Sequence, residues 1–502
     1  MPAGSRVLIQ ITLGLGSLIS VADKCYALDA AIPVRTRRPT MPIFRTSSSA
    51  AKTDPSKSTS PSQLPRRTFL KSSGTAAAAM TAASYSQVMG ANERVQVACI
   101  GVRGRGRTHI REFARDERSE VAAVVDIDQA VAERAAQQTL ELQNRKPTEY
   151  EDLRKMLEDK SIDAVSVAAP NHWHALATIW SCQAGKDVYV EKPASHSIFE
   201  GRKMVEAARK YKRIVQVGHQ GRSTQHKVRA IELLRDGVIG KLYMARGLCF
   251  KRRKSIGAKS TGPVPPGVNY DIWLGPSQEL GFKENRFHYN WHWYWDFGNG
   301  DIGNQGVHEM DIARWGLGKE ELPPAVYSSG GHYIYPDDQQ TPNTQTAVFE
   351  YPDSQIVFEV RGLMSGGEAD MQTTPDNRNT VGNLFFGADG YMRVNHAGFS
   401  TYLGEKHEPG PAMSSAEGRG LDSAAHFANF LDAVKSRKHT DLHCDVEVGH
   451  LSAALCHLAN ISYRTNRKLS FDAKTEKFPG DDEANKLLKR DYREPFVVPE
   501  KV

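Results

Sequence analysis

The chain has 502 residues, 40% of them apolar and 25% charged, too long for one hydrophobic core and long enough for two domains with extensions. No apolar run reaches the length of a bilayer-spanning helix, so stable membrane insertion is not expected. The formal charge of +7 is uneven: residues 1–91 hold 11 Lys/Arg against 3 Asp/Glu, a surplus of eight that leaves −1 for the rest, so charge gives no case for nucleic acid as a partner.

Residues 33–65 are rich in Pro, Ser and Thr and cannot bury enough apolar surface to fold. Arg66 and Arg67 follow, then Phe69, Leu70, Lys71 and a weakly apolar Ala-rich segment. The stretch resembles a twin-arginine export signal, although Pro65 stands where Ser or Thr is usual. The bland alternative is a basic linker before an Ala-rich helix. The expectation is a leader over 1–91, a mature chain from near Ala91 and a periplasmic location. The depth of the signal points to Met41 as the start, rather than to a second signal in the apolar run Val7–Ala22.

From Arg94 short apolar runs alternate with amphipathic stretches. VQVACI from Val95, VAAVVD from Val121, DAVSVAA from Asp163, DVYVE from Asp187 and RIVQVG from Arg213 read as strands, and the segments between have a helical period. Continuous apolar strands separated by helices argue for a parallel sheet covered on both faces. Beyond Gly218 this alternation weakens. KLYMARGLCF, TAVFEY and QIVFEV have strand character, and the segment from Ser423 to Phe471 is strongly helical. Cys25 lies in the leader; Cys99, Cys182, Cys249, Cys444 and Cys456 are scattered without a CxxC and read as buried thiols.

The first strand runs into GVRGRGRTHI, with Gly101, Gly104 and Gly106 at the turn into a helix. Glycine permits a tight turn and close approach of backbone to a pyrophosphate, and a helix start offers free N–H groups and partial positive charge. The spacing departs from G-x-G-x-x-G because Arg103 occupies the middle glycine position, so Arg103 and Arg105 are candidates to touch phosphate. Asp126 ends the second strand, where a carboxylate accepts from ribose hydroxyls and repels a 2′-phosphate. NAD is favoured over NADP; the arginines nearby keep NADP open. Asp128 is better placed than Asp126 to cap the following helix.

AAPNHWHALATIWSCQAGKDVYVEKPASH, Ala168 to His196, resembles the Gfo/Idh/MocA family of glucose–fructose oxidoreductases and inositol dehydrogenases. The carriers are Pro170, His174, Gly185, Lys186 and the Glu191-Lys192-Pro193 triplet, and the resemblance extends from about Arg94 to Asp472. It implies an α/β Rossmann domain with a parallel sheet (92–222), an α+β domain with a large, mostly antiparallel sheet (223–475), a tail (476–502), and a homo-oligomer, dimer or tetramer. It places Pro170, Asn171, His174, Glu191 and Lys192 around the cofactor, with Lys192 beside the reacting hydroxyl, where an ammonium stabilises developing negative charge. Pro193 restricts the residue before it and is a candidate for a cis bond.

The chemical centre of the second half is WHWYWDFGNGDIGNQGVHEMDIARWGLG. Asn304 and His308 are four apart on one helix face, and Asp311, three further on, is a candidate to orient the His308 ring. The family pairs an aspartate and a histidine at this spacing with the EKP lysine; here the aspartate position holds Asn304. An amide positions a hydroxyl but cannot take its proton, so Asp301 is the candidate to compensate. Trp291 and Trp293 suit stacking against a sugar ring, or a wedge between domains. His288 and His292 are four apart without a convincing third ligand, so no metal is expected. Arg222 is a candidate to line the substrate entrance, or is a solvated strand-end charge. The function implied is NAD(P)-dependent oxidation of a hydroxyl on a sugar, sugar derivative or cyclitol. The alternatives are a glycosidase that uses bound NAD for transient oxidation and elimination, and a non-catalytic sensor.

Overall fold

The computed structural model describes residues 94–371, 379–415 and 423–502. The expected leader, with Arg66 and Arg67, lies outside the described residues.

The first half alternates strand and helix: β1 (Val95–Ile100), α1 (Gly106–Arg115), β2 (Ser119–Val125), α2 (Gln129–Gln143), β3 (Thr148–Tyr150), α3 (Leu153–Glu158), β4 (Ala164–Val167), α4 (Asn171–Gln183), β5 (Asp187–Val190), α5 (Ile198–Lys210) and β6 (Val215–Val217). The strands form one parallel sheet in the order β3-β2-β1-β4-β5-β6, with Ile100 opposite Val125 on one side and Val167 on the other. All but the short edge strand β3 are buried on both faces, which is why they read as apolar runs. Along β1, Val95, Val97 and Cys99 enter one core, and Ala98 and Ile100 the other. The order reverses between β1 and β4, which opens a crevice at the carboxyl ends of the strands.

The chain then runs through α6 (Gln225–Arg235), β7 (Leu242–Phe250), α7 (Tyr270–Leu274), α8 (Gly300–Asn304), α9 (Gly306–Gly316), β8 (Ala325–Gly331), β9 (Thr344–Glu350), β10 (Gln355–Arg361), β11 (Thr380–Gly387), β12 (Gly390–Asn395), β13 (Gly398–Leu403), β14 (Glu408–Ser414), α10 (Ser423–Ser436), α11 (Val446–Thr465), β15 (Leu469–Ser470) and α12 (Asp482–Lys486). Its nine strands form a second sheet in the order β14-β13-β12-β11-β7-β10-β9-β8-β15. All pairings are antiparallel except β7 with β10. Alternate residues of β10, Ile356, Phe358 and Val360, pack into a core with Met310 of α9 and Leu455 of α11, the half-buried pattern of a sheet with one covered face.

The two halves of the sequence interleave in space. Phe427 and Phe430 of α10 pack on the first sheet with Phe113 and Tyr189. Phe496 and Val498, in the stretch expected as a tail, join the opposite face, where Phe496 meets the Trp173 ring at 5.5 Å between centroids. The five described cysteines are buried free thiols, and burial raises the pKa of each above its ordinary value. Among the described residues no helix is long and apolar enough to cross a membrane.

Candidate functional site

A cavity of 590 Å³ occupies the crevice, lined by Gly101, Arg103, Gly104 and Arg105 of the glycine turn, by Asp126, and by Glu191 and Lys192 beyond β5. Gly101 sits at φ +75°, and a Cβ there would meet the Ala169 nitrogen at 2.7 Å. A Cβ on Gly106 would collide with the carbonyl oxygen of Gly101. These two glycines let α1 start directly against the ends of β1 and β4. Gly104 is different: nothing in the protein lies within 4 Å of its added Cβ, so it leaves bare backbone facing the cavity. The residue before α1, Arg105, makes no side-chain cap, and the helix start remains available to an anion.

The two arginines of the turn divide their work. Arg103 is exposed at the cavity edge. Arg105 does not turn to the phosphate side, because its Nε donates to Glu191 Oε1 at 2.8 Å. Asp126 accepts from the Val102 amide at 2.9 Å and the Asp128 amide at 3.1 Å. Burial nevertheless lifts its pKa to about 6. Asp128 caps α2 through the Val131 amide.

Glu191 is buried among donors: Arg105, His109 Nε2 at 3.1 Å and Gln220 Nε2 at 3.0 Å all reach its Oε1. Burial pushes its pKa up, but the Arg105 charge and the His109 bond outweigh it and hold the group well below the usual carboxylate range. The Lys192–Pro193 peptide is cis. Lys192 Nζ donates to the backbone carbonyl of Asn304 at 2.9 Å, and burial draws its pKa below the ordinary lysine value. Pro170, Asn171 and His174 form the cavity wall at the start of α4. Asn171 donates to the Asn299 side chain at 3.0 Å. The His174 ring sits between the carbonyls of Pro193 and Ala169, at 2.7 and 2.8 Å, which ties the ends of β5 and β4 together.

Asn304 and His308 enter the same cavity from α8 and α9. The His308 ring makes no hydrogen bond with the described residues and meets His219 edge-on at 5.9 Å. Burial, then the charge of Lys192, hold its pKa well below 6.5. The imidazole is therefore neutral at physiological pH and free to accept a proton.

Four expected roles are corrected. Asp311 does not orient His308: it points away to Arg222, with contacts of 2.8 to 3.1 Å, and to Ser452 Oγ at 2.7 Å. Arg222 is therefore not at a substrate entrance; it is buried in that ion pair, with its guanidinium over Trp315. Asp301 cannot stand in for the missing aspartate, since Arg253 grips both its oxygens at 2.6 and 2.9 Å and it does not line the cavity. Trp293 is buried against Arg253, so only Trp291 of the expected pair lines the cavity. His288 and His292 also line it, but among the described residues no three metal-ligating side chains converge.

The structure adds residues the sequence argument passed over. A neighbouring cavity of 250 Å³ shares His308 with the first. Lys251, Gln305 and His308 line both cavities, and His219 and Lys227 line only the second. Both ring nitrogens of His219 are buried without a partner. A signal for Lys227 was available: with Ala230, Ile231 and Leu234 it falls on the buried stripe of α6, where a lysine is out of place.

Residues 95–219 match a family described as "Oxidoreductase family, NAD-binding Rossmann fold", and residues 246–362 and 411–498 match its C-terminal alpha/beta domain. A Shewanella sp. (strain ANA-3) protein named glycosyl hydrolase family 109 protein 1 is 30% identical over 154 residues, 30% of this chain and 34% of that protein. The chain thus spans about a third of the length of that curated relative. The WlbA dehydrogenase of Bordetella pertussis, solved with NADH and UDP-GlcNAcA, has the same fold at a TM-score of 0.56 and 18% identity, over 76% of this chain and 99% of that one. A levoglucosan dehydrogenase solved with NADH and levoglucosan aligns at a TM-score of 0.57 and 17% identity, over 75% and 99%.

Proposed function

The chain belongs to the Gfo/Idh/MocA oxidoreductase family, which binds NAD in its Rossmann domain, and on that footing we propose that it oxidises a hydroxyl of a sugar, sugar derivative or cyclitol. The observation that carries the proposal is the meeting of Lys192, beyond β5, and His308, on α9, in one cavity with the glycine turn and Asp126.

The residues fit the cofactor. Bare backbone at Gly104 and the uncapped start of α1 would hold a pyrophosphate with Arg103, and Asp126 would accept from a ribose hydroxyl, favouring NAD over NADP. When bound, NAD supplies a hydride acceptor. His308 takes the proton of the substrate hydroxyl as its neutral imidazole. Lys192, fixed by the Asn304 carbonyl, holds the oxygen and favours the charge that develops there. Because Asn304 cannot accept a proton and Asp301 is committed to Arg253, proton removal falls to His308 alone.

Lys192→Ala and His308→Ala, assayed on a sugar panel by the absorbance of NADH, should each lose about 10²–10⁴-fold in turnover while still binding NAD. Near-normal rates in both would overturn the proposal. A second reading draws on the relative named as a glycosyl hydrolase: transient oxidation followed by elimination. Cleavage of a glycoside with no net NADH would favour it. The same proposal includes export by the twin-arginine segment, testable by N-terminal sequencing of exported protein. It also includes homo-oligomer formation through the outer face of the second sheet, where Tyr243 is exposed and Tyr391 stacks on Tyr402, testable by sedimentation.

A further inference from the structure

The 250 Å³ cavity beside His308 is where the substrate reading above leaves room for a sugar, and its charges are unusual. Lys227 is 7% exposed, yet its Nζ donates no hydrogen bond among the described residues. No described carboxylate oxygen lies within 4.0 Å of it. Burial draws its pKa below the ordinary lysine value, and the charges of Glu309 and Asp311, which line the same space, act on it only from beyond contact. Asp311 is consumed by Arg222 and Ser452. Burial lifts Glu309 to a pKa of about 7, so near neutral pH it is only partly ionised. Two more ammonium groups stand nearby without a carboxylate in contact: Lys251, which lines both cavities and whose Nζ donates to the Gln305 side chain at 2.9 Å, and Lys192, which donates to the Asn304 carbonyl. A buried ammonium without a partner is costly and is seldom kept by a fold. Lys227 earns nothing for α6, where the stripe it occupies calls for an apolar side chain. An anionic ligand in the cavity would give it the contact that the protein does not. The cavity, at 250 Å³, has room for one sugar ring.

We propose that the substrate is an anionic monosaccharide, whose charged substituent is bound by Lys227 while the hydroxyl to be oxidised lies between His308 and Lys192. His219, with both ring nitrogens unpartnered, then meets a hydroxyl between these two ends. A carboxylate and a phosphate ester share the chemistry that Lys227 reads.

The inference rests on the oxidoreductase reading, and the test separates the two. Full-length protein is assayed with NAD and glucose, glucuronate or glucose 6-phosphate, and binding of each sugar to the NAD-loaded protein is measured by calorimetry. A preference for glucuronate or for glucose 6-phosphate over glucose supports the proposal and says which anion is read. Lys227→Met should reduce the ratio of kcat/KM for the preferred anion over glucose by about ten- to hundredfold, and Lys227→Arg should restore part of it. Because methionine suits an apolar stripe, Lys227→Met should fold at least as well as the parent. Equal kcat/KM for all three sugars, or an unchanged ratio in Lys227→Met, overturns the inference and leaves the oxidoreductase standing. Tight, Lys227-dependent binding of an anionic sugar with no NADH formed keeps the inference and overturns the oxidoreductase.

Discussion

Replacement of Arg222 by Met distinguishes a structural ion pair from a substrate contact. Asp311 is 1% exposed, and Arg222 gives it three of its close contacts, at 2.8 to 3.1 Å. Burial alone would raise the Asp311 pKa; the Arg222 charge instead holds it far below the carboxylate range. Arg222→Met leaves that carboxylate with the Ser452 hydroxyl and a histidine 3.8 Å away. Removing one partner of a buried pair costs about 3–5 kcal/mol. With an unfolding entropy of about 2.1 cal/mol/K per residue over roughly 400 folded residues, the midpoint should fall by roughly 4–6 °C. Asp311→Leu in the same chain removes the stranded charge and should recover more than half of the loss. The assay is thermal unfolding of the three variants beside steady-state kinetics well below the midpoint. The expected result is lost stability with KM nearly unchanged. An unmoved midpoint with KM raised about tenfold would refute the argument and put Arg222 back on the substrate.

Two further outcomes follow from the geometry. Gly101→Ala should cost about 1–3 kcal/mol of stability and abolish nucleotide binding, because its backbone is left-handed and its Cβ would meet the Ala169 backbone. Gly104→Ala should weaken nucleotide binding alone, since its Cβ meets only the cavity; fluorescence titration with NAD beside thermal unfolding separates the two. Stability should also fall as the pH is lowered below about 6.5. His172, His292, His426 and His457 are held near pKa 3 and His219 near 4 by burial. The unfolded chain therefore takes up protons that the folded chain refuses, and stability present above pH 6.5 is lost on acidification. A group shifted to about 3 contributes about 2 kcal/mol of this loss at pH 5. Glu200 and Glu309, raised to about 7, and Asp126, raised to about 6, offset part of this loss; a midpoint that rises from pH 8 to pH 5 would contradict the burial of these rings.

The cofactor half was legible because its signals are local. Continuous apolar strands, glycines at the first turn, Asp126 at a strand end and the 191–193 triplet each declare themselves within a few residues, since strand period, turn conformation and helix ends are short-range properties. The same holds for the shared helix face of Asn304 and His308. The partner of a charge is not local. Arg222 and Asp311 are 89 residues apart and Arg253 and Asp301 are 48 apart, and only the packing of two sheets decides that these carboxylates are spent on arginines rather than on chemistry. Lys192 finds the Asn304 carbonyl across 112 residues. Lys227 shows both limits. Its place in an apolar stripe was written in the chain, but its lack of a counter-charge is a property of the cavity, and a cavity exists only once the chain has folded around it.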